Sequence, residues 1–194
     1  MTVTSNIYKK DNLLSTQIEH IDMTAIDARD LMKQMSKMSF TSRDLARASE
    51  IYNTMLADNE CSIILTLAGS TSAGGCMQVY SDLIKYNMVD AVVATGASVV
   101  DMDFFEALGF HHYKGNKNID DSYLKTLSID RIYDTFIDED DLQLCDEIIA
   151  DIADGLDSRP YTSREFIKEM GLFLAAGKAK KPASLVQTAY ENEV

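Results

Sequence analysis

Two short apolar runs, Cys61 to Leu67 and Val89 to Ala94, are separated and followed by segments of a different periodicity. Neither run alternates, which is the pattern of parallel strands buried on both faces. Each leads into a turn of small residues, Ala68 to Gly75 after the first and Thr95 to Ser98 after the second. Helical spacing follows each turn. Tyr80, Leu83 and Ile84 form the inner face of a helix from Cys76 to Tyr86, and a further helix is expected from about Asp101 to Leu108. Two strands joined by a crossover of this length are parallel and right-handed.

The flanking segments are mostly helical. Ile26, Leu31, Met35 and Met38 recur among polar positions, and Leu45, Ala48, Tyr52 and Met55 mark a helix from Arg43 to Ala57, with Thr41 or Ser42 as cap. Leu142, Cys145, Ile148, Ile149 and Ile152 give a helix over 139–155. Thr162 or Ser163 starts another that buries Phe166, Ile167, Met170, Phe173 and Leu174, and a last one spans 183–191. The stretch from His111 to Asp134 shows neither period and is expected to run over the surface. Residues 1–22 read as a flexible N-terminal segment and 23–194 as one α/β domain. The fold class is a three-layer, Rossmann-like parallel sheet with helices on both faces. Two strands are few for so many helices, so the sheet is expected to be incomplete here and completed by a further segment or chain.

Composition narrows the function classes. With 46% hydrophobic and 25% charged residues the chain is ordinary globular material. The net charge of −13 repels phosphate backbones and excludes a nucleic-acid partner. Cys61, Cys76 and Cys145 lie far apart with no CxxC pair, so neither a disulfide framework nor a metal site is expected, and a cytoplasmic location fits. Apolar runs fall short of a membrane span, so no membrane partner is expected.

Candidate chemistry lies in the two small-residue turns. In Gly69-Ser70-Thr71-Ser72-Ala73-Gly74-Gly75 the glycines permit close backbone approach, and hydroxyls and N–H groups at a helix start can hold phosphate. It is no Walker loop, because Gly74 is followed by Gly75 and Cys76, and it is not GxGxxG. The second turn, Thr95-Gly96-Ala97-Ser98, runs toward Asp101 and Asp103, which suit either a helix dipole or a ribose hydroxyl or amine. His111 and His112 are adjacent and read as surface or satisfied histidines. Ser70 or Cys76 as a nucleophile would need a histidine base that no motif supplies. The run Asp138 to Asp141 reads as a helix start.

Asn87-Met88-Val89-Asp90, with the turn before it and VVATGAS after it, resembles the deoxyhypusine synthase family. MSFTSRDLARA (Met38 to Ala48), ATGASVVDMDFFEALGF (Ala94 to Phe110), IDRIYDT (Ile129 to Thr135) and RPYTSREFIKEMG (Arg159 to Gly171) resemble its bacterial branch, the deoxyhypusine synthase-like or homospermidine synthase-like proteins. The resemblance covers the chain from about residue 20 and corresponds to the N-terminal part of the family fold.

The resemblance implies an NAD-dependent transferase that moves an aminobutyl group from spermidine or putrescine to an amine, which is a protein lysine in some members and a free polyamine in others. It implies hydride transfer to NAD, an imine on an enzyme lysine, transfer of that imine and return of the hydride. The first NAD loop falls on Gly69, Ser70, Thr71 and Ala73, with Ser70 where the family carries asparagine. The second falls on Thr95, Gly96 and Ala97, with Gly and Ala in a different order from the Thr-Ala-Gly of eukaryotic members. The family's cofactor-binding glutamate falls on Asp101.

The family's later PIF-PAF strand and imine-forming lysine have no counterpart in these residues, so no catalytic residue is expected in this chain. Lys178, Lys180 and Lys181 read as exposed. The implied partners are a polyamine substrate and a homo- or hetero-tetramer, the latter with a C-terminal fragment or chain. The alternative is a non-catalytic NAD-binding or regulatory partner subunit of an active paralogue.

Overall fold

The structure, a computed structural model, describes residues 9–181 and 183–194. Its helices are α1 (Lys10–Leu13), α2 (Arg29–Met35), α3 (Phe40–Ala57), α4 (Met77–Lys85), α5 (Phe105–Ala107), α6 (Asp121–Thr126), α7 (Glu139–Asp154), α8 (Ser163–Phe173) and α9 (Leu185–Asn192). Strands β1 (Ile64–Leu67) and β2 (Ala91–Ala94) pair in parallel, with Ile64 opposite Ala91 and Leu67 opposite Ala94. Asp90 sets the entry to this pair by accepting the Ile63 N–H at 2.6 Å, and Tyr52 of α3 donates to the Met88 carbonyl at 2.7 Å. Both contacts use residues just before the second strand, so the NMVD segment ties α3 and the first strand to the start of β2.

The parallel sheet is covered on one face. Ile63, Leu67, Ile84, Val89 and Leu185 form a cluster between it, α4 and α9. On the other face Ile64 and Val93 are each 61% exposed. Among the described residues this face is therefore largely open, and the apolar runs alternate in burial although they do not alternate in sequence.

The larger core lies where the segment after β2 meets α7, α8 and α9. Val99, Phe104, Phe105, Leu108, Cys145, Met170, Leu174 and Val186 pack there. Helix α7 begins on Asp138, whose side chain accepts from the Asp140 N–H, while Lys10 bonds both carboxylates at 2.7 Å. Thr162 and Glu165 form a reciprocal capping box at the start of α8.

Helices α8 and α9 touch at Gly171. A Cβ there would sit 2.5 Å from Tyr190 Cβ and 2.9 Å from the Val186 carbonyl. Gly to Ala in a helix gains about 1 kcal/mol of propensity, but forcing these helices apart costs about 1–3 kcal/mol, and neither obstacle is a flexible side-chain end. Gly171→Ala should therefore destabilise the protein by up to about 2 kcal/mol in urea unfolding; a stabilised variant would mean the helices do not meet this closely.

The region from His111 to Asp134 departs from the expected surface excursion. Strands β3 (His112–Lys114), β4 (Ile129–Ile132) and β5 (Thr135–Asp138) form an antiparallel sheet in the order β3-β5-β4. Leu124 of α6 packs on Ile129 and Phe136 beneath it. Three- and four-residue strands are too short to display alternation, and the β4–β5 connection uses Tyr133 at φ 57 rather than a recognisable Asn-Gly pair.

Residues 16–21, placed by the sequence in the flexible segment, run along this sheet and back to the first turn. Gln17 bridges Tyr113, Ile18 N–H donates to the His112 carbonyl at 2.8 Å, and Ile21 N–H donates to the Gly75 carbonyl at 2.9 Å. Residues 1–8 of that segment lie outside the described residues.

Candidate functional site

The two small-residue turns lie side by side at the carboxyl ends of β1 and β2. Thr95 N–H donates to the Leu67 carbonyl at 3.2 Å, and Ser98 Oγ donates to the Gly69 carbonyl at 3.4 Å. Thr95 Oγ1 lies 3.1 Å from Ser98 Oγ and accepts from the Ser98 N–H, so the second turn is cross-braced by its own hydroxyls. In the first turn Tyr80 donates to Thr71 Oγ1 at 2.6 Å.

Both turns lead into wide helical turns, Ser72–Cys76 and Ala97–Phe104, of the kind that recurs at functional sites. The first is broken by Gly75 at φ 100, so α4 starts in a new direction. Gly69 has φ +74, and a Cβ on Gly69, Gly74 or Gly96 would meet nothing within 4 Å. The backbone at these three glycines thus faces open space. Among the described residues, no acceptor is paired with the N–H groups of Ser70, Thr71 or Gly96. Open glycines, uncommitted N–H groups and hydroxyls are what a phosphate-bearing ligand needs, and the chain's residues fit the pyrophosphate part of a dinucleotide.

The candidate residues divide into two groups. Gly69, Ser70 and Thr71 are brought next to Thr95, Gly96 and Ala97 and are exposed or half-buried. Ala73 is buried and packs with Met77 and Met102. Asp101 is half-buried on the side of α7, where burial pushes its carboxyl up and the nearby Asp146 charge adds to the shift. Burial pushes the neighbouring Cys145 thiol up to about 12, with Asp146 and Asp101 contributing, so it is no nucleophile.

Asp103, two residues on, is fully buried. It accepts from Ser184 Oγ at 2.8 Å, Leu185 N–H at 2.6 Å and Val186 N–H at 2.9 Å, tying the second turn's helix to the N-terminus of α9. Burial pushes its carboxyl up to about 6 against these three donors.

Glu106, also buried, gathers four segments. His112 Nδ1 bonds its Oε1 at 2.7 Å, His20 Nε2 bonds its Oε2 at 2.6 Å, and Lys181 Nζ donates to the same Oε2. Burial alone would raise the Glu106 pKa, but the hydrogen bonds from His112, His20 and Lys181 outweigh it and hold the carboxyl far below its usual range. A cavity of about 400 Å³ borders the cluster, lined by Gln17, His20, Gln78, Glu106, Lys181 and Ser184 among others. Lys181 is therefore corrected from exposed to paired, because the buried carboxylate draws its ammonium inward, whereas Lys178 and Lys180 are exposed as expected. Sequence reading passed over Glu106 and His20 and took Lys181 as exposed. Their separation in the chain left no local signal, and only the position of Glu106 on an apolar helix face hinted at burial.

Among the described residues no group of three or more His, Cys, Asp or Glu side chains could hold a metal. No helix there is long and apolar enough to cross a membrane.

Comparison with known proteins decides the family. The family model described as deoxyhypusine synthase matches residues 30–194. The chain belongs to the deoxyhypusine synthase family. Proteins named deoxyhypusine synthase-like are similar to it: one from Coxiella burnetii is 65% identical over 95% of this chain and 53% of its own length. Another, from Caulobacter vibrioides, is 60% identical over 96% of this chain and 51% of its own length. The chain thus spans about half the length of the curated relatives it matches. A solved structure assigned as a deoxyhypusine synthase from Entamoeba histolytica superposes with a TM-score of 0.55 at 22% identity, covering 91% of this chain and 60% of that one. That likeness concerns the fold, an α/β arrangement with a small parallel sheet and helices.

Proposed function

We propose that this chain supplies part of an NAD site in an aminobutyl transferase of the deoxyhypusine synthase-like or homospermidine synthase-like kind. The donor is spermidine or putrescine, the acceptor is an amine, and the protein works in the cytoplasm. The observation that carries this reading is the adjoining pair of open turns at the carboxyl ends of β1 and β2, in a member of this family. Gly69, Ser70 and Thr71 offer backbone and hydroxyl to the phosphates, and Thr95, Gly96 and Ala97 offer the facing wall. Asp101 is the proposed partner of a ribose hydroxyl. Bound NAD would accept a hydride from the amine donor and return it.

Completion of the site falls to residues beyond these, as further segment or second chain in a tetramer. The exposed Ile64 and Val93 on the open sheet face support that completion. So does the acidic balance of the chain, which suits a polyamine.

The test is NAD titration and amine turnover with the intact natural assembly. NAD should bind, and spermidine or putrescine should be consumed only in its presence; an assembly that neither binds NAD nor consumes either amine overturns the reading. Asp101→Ala should weaken NAD by about tenfold or more, the worth of a charged hydrogen bond, and unchanged affinity removes Asp101 from the site.

A further inference from the structure

The N-terminal segment grips the first turn at two points. Ile21 N–H holds the carbonyl of Gly75, and the side chain of His20 meets the N–H of Met77, with 3.3 Å between Nδ1 and the amide nitrogen. Gly75 lies between these contacts, at the break in the helix. Met77 is the first residue of α4, so its N–H has no acceptor within that helix and must find one outside.

The protonation of His20 follows from its partners. Its Nε2 lies 2.6 Å from Glu106 Oε2, and a carboxylate held ionised by Lys181 and His112 can only accept. Nε2 therefore carries a proton. In the neutral ring Nδ1 then keeps its lone pair and can accept the Met77 N–H. A ring protonated on both nitrogens would set one N–H against another, and the opposite tautomer would set two acceptors together at Glu106 and two donors at Met77. Only one form of His20 satisfies both neighbours, and Glu106 selects it.

We propose that His20, with its tautomer set by Glu106, is a positioning residue for the first nucleotide loop. As the Nε2–H imidazole it accepts the Met77 N–H, anchoring the end of the loop at the start of α4 so that Gly69, Ser70 and Thr71 keep the shape that meets the cofactor. Lys181, on the same Glu106 oxygen, holds the carboxylate ionised and so keeps that tautomer in place. His20 touches no cofactor on this account and acts through Met77. The inference rests on the reading that NAD lies over these turns, although the tautomer and the Met77 contact can be tested without it.

Two substitutions separate the hydrogen bond from mere bulk. His20→Asn puts an amide oxygen near the place of Nδ1 and keeps an acceptor for Met77; His20→Phe keeps the ring volume and removes the acceptor. In the intact protein, His20→Phe should weaken NAD about fivefold to tenfold, the worth of one hydrogen bond, while His20→Asn should stay within about twofold. A structural role through packing would give the opposite order, because Phe fills the space better. Equal losses in both variants, or no loss in His20→Phe, overturn the proposal.

Two further readouts do not depend on the cofactor. Nitrogen NMR of the imidazole in the unmodified protein should show Nε2 protonated and Nδ1 bare at neutral pH, and the reverse tautomer overturns the proposal even where His20→Phe fails to fold. Amide exchange at Met77 should quicken in His20→Phe and not in His20→Asn. If the unmodified assembly fails to bind NAD while tautomer and exchange come out as stated, the cofactor reading is what fails, and His20 stands as an anchor of the loop alone. Failure of the tautomer or exchange result with NAD bound normally overturns the anchor and spares the cofactor reading.

Discussion

Glu106→Ala should cost the protein about 3–5 kcal/mol of stability at pH 7, the usual price of removing one partner from a buried charge cluster. The variant strands His112, whose side chain is fully buried and whose Nε2 already has no hydrogen-bond partner among the described residues. Its Nδ1–H would lose its acceptor as well, leaving a buried imidazole with both nitrogens unsatisfied. Lys181 suffers less, because its side chain is 31% exposed and its ammonium can turn to water. Glu106→Gln keeps the volume and one oxygen for His112, so it should lose clearly less than the alanine variant.

The effect has a pH signature. The folded-state pKa of Glu106 is depressed below its ordinary 4.5, so its stabilisation is fully present above that value and fades as pH falls toward the folded pKa. Urea unfolding at pH 7 and near pH 3 should therefore show a wide gap between the unmodified protein and Glu106→Ala that narrows in acid. A gap that widens in acid would mean that the carboxyl is protonated in the folded state and that the cluster has been misassigned.

Gly75→Ala should lose about 2–5 kcal/mol, the sum of a left-handed backbone penalty near 1–2 kcal/mol and about 1–3 kcal/mol of steric conflict. Gly75 holds φ 100, and its Cβ would stand 2.9 Å from the Glu19 carbonyl. That carbonyl belongs to the backbone next to His20 and Ile21, both anchored to the same turn. Neither side has a flexible end that could move aside. Its neighbour supplies the control: a Cβ on Gly74 meets nothing within 4 Å, so Gly74→Ala should change stability by no more than about 0.5 kcal/mol. Thermal unfolding of the two variants side by side checks the pair, and equal melting temperatures would show that the N-terminal segment does not lie against Gly75.

These two results concern residues with different visibility in the sequence. Gly75 belonged to a turn whose small residues announced it, although which of its glycines takes the left-handed conformation was not written there. Glu106 was one acidic position on an otherwise apolar helix, and its three partners come from residues 20, 112 and 181. A local pattern can show that a polar group sits on a buried face, but not what will satisfy it. The same limit explains the antiparallel sheet between His112 and Asp138, built from strands too short to carry a period, and the pairing of Lys181, whose own neighbourhood is polar.

The sequence by itself determined the elements with sustained periodicity: α3, α4, α7, α8 and α9, and the strand–turn–helix order that makes β1 and β2 parallel. It also marked the two turns and carried the phrases by which the family was recognised. Repeated short-range preferences decide such features, and each residue reports on its near neighbours. Only the tertiary structure decided which turn residues meet, that Ser98 ties to Gly69 while Ala73 turns inward, and that Asp101 sits beside Asp146. It alone closed His20, Glu106, His112 and Lys181 into one cluster. Those contacts join residues dozens of positions apart, and their pairing is set by where the chain folds back rather than by any spacing along it.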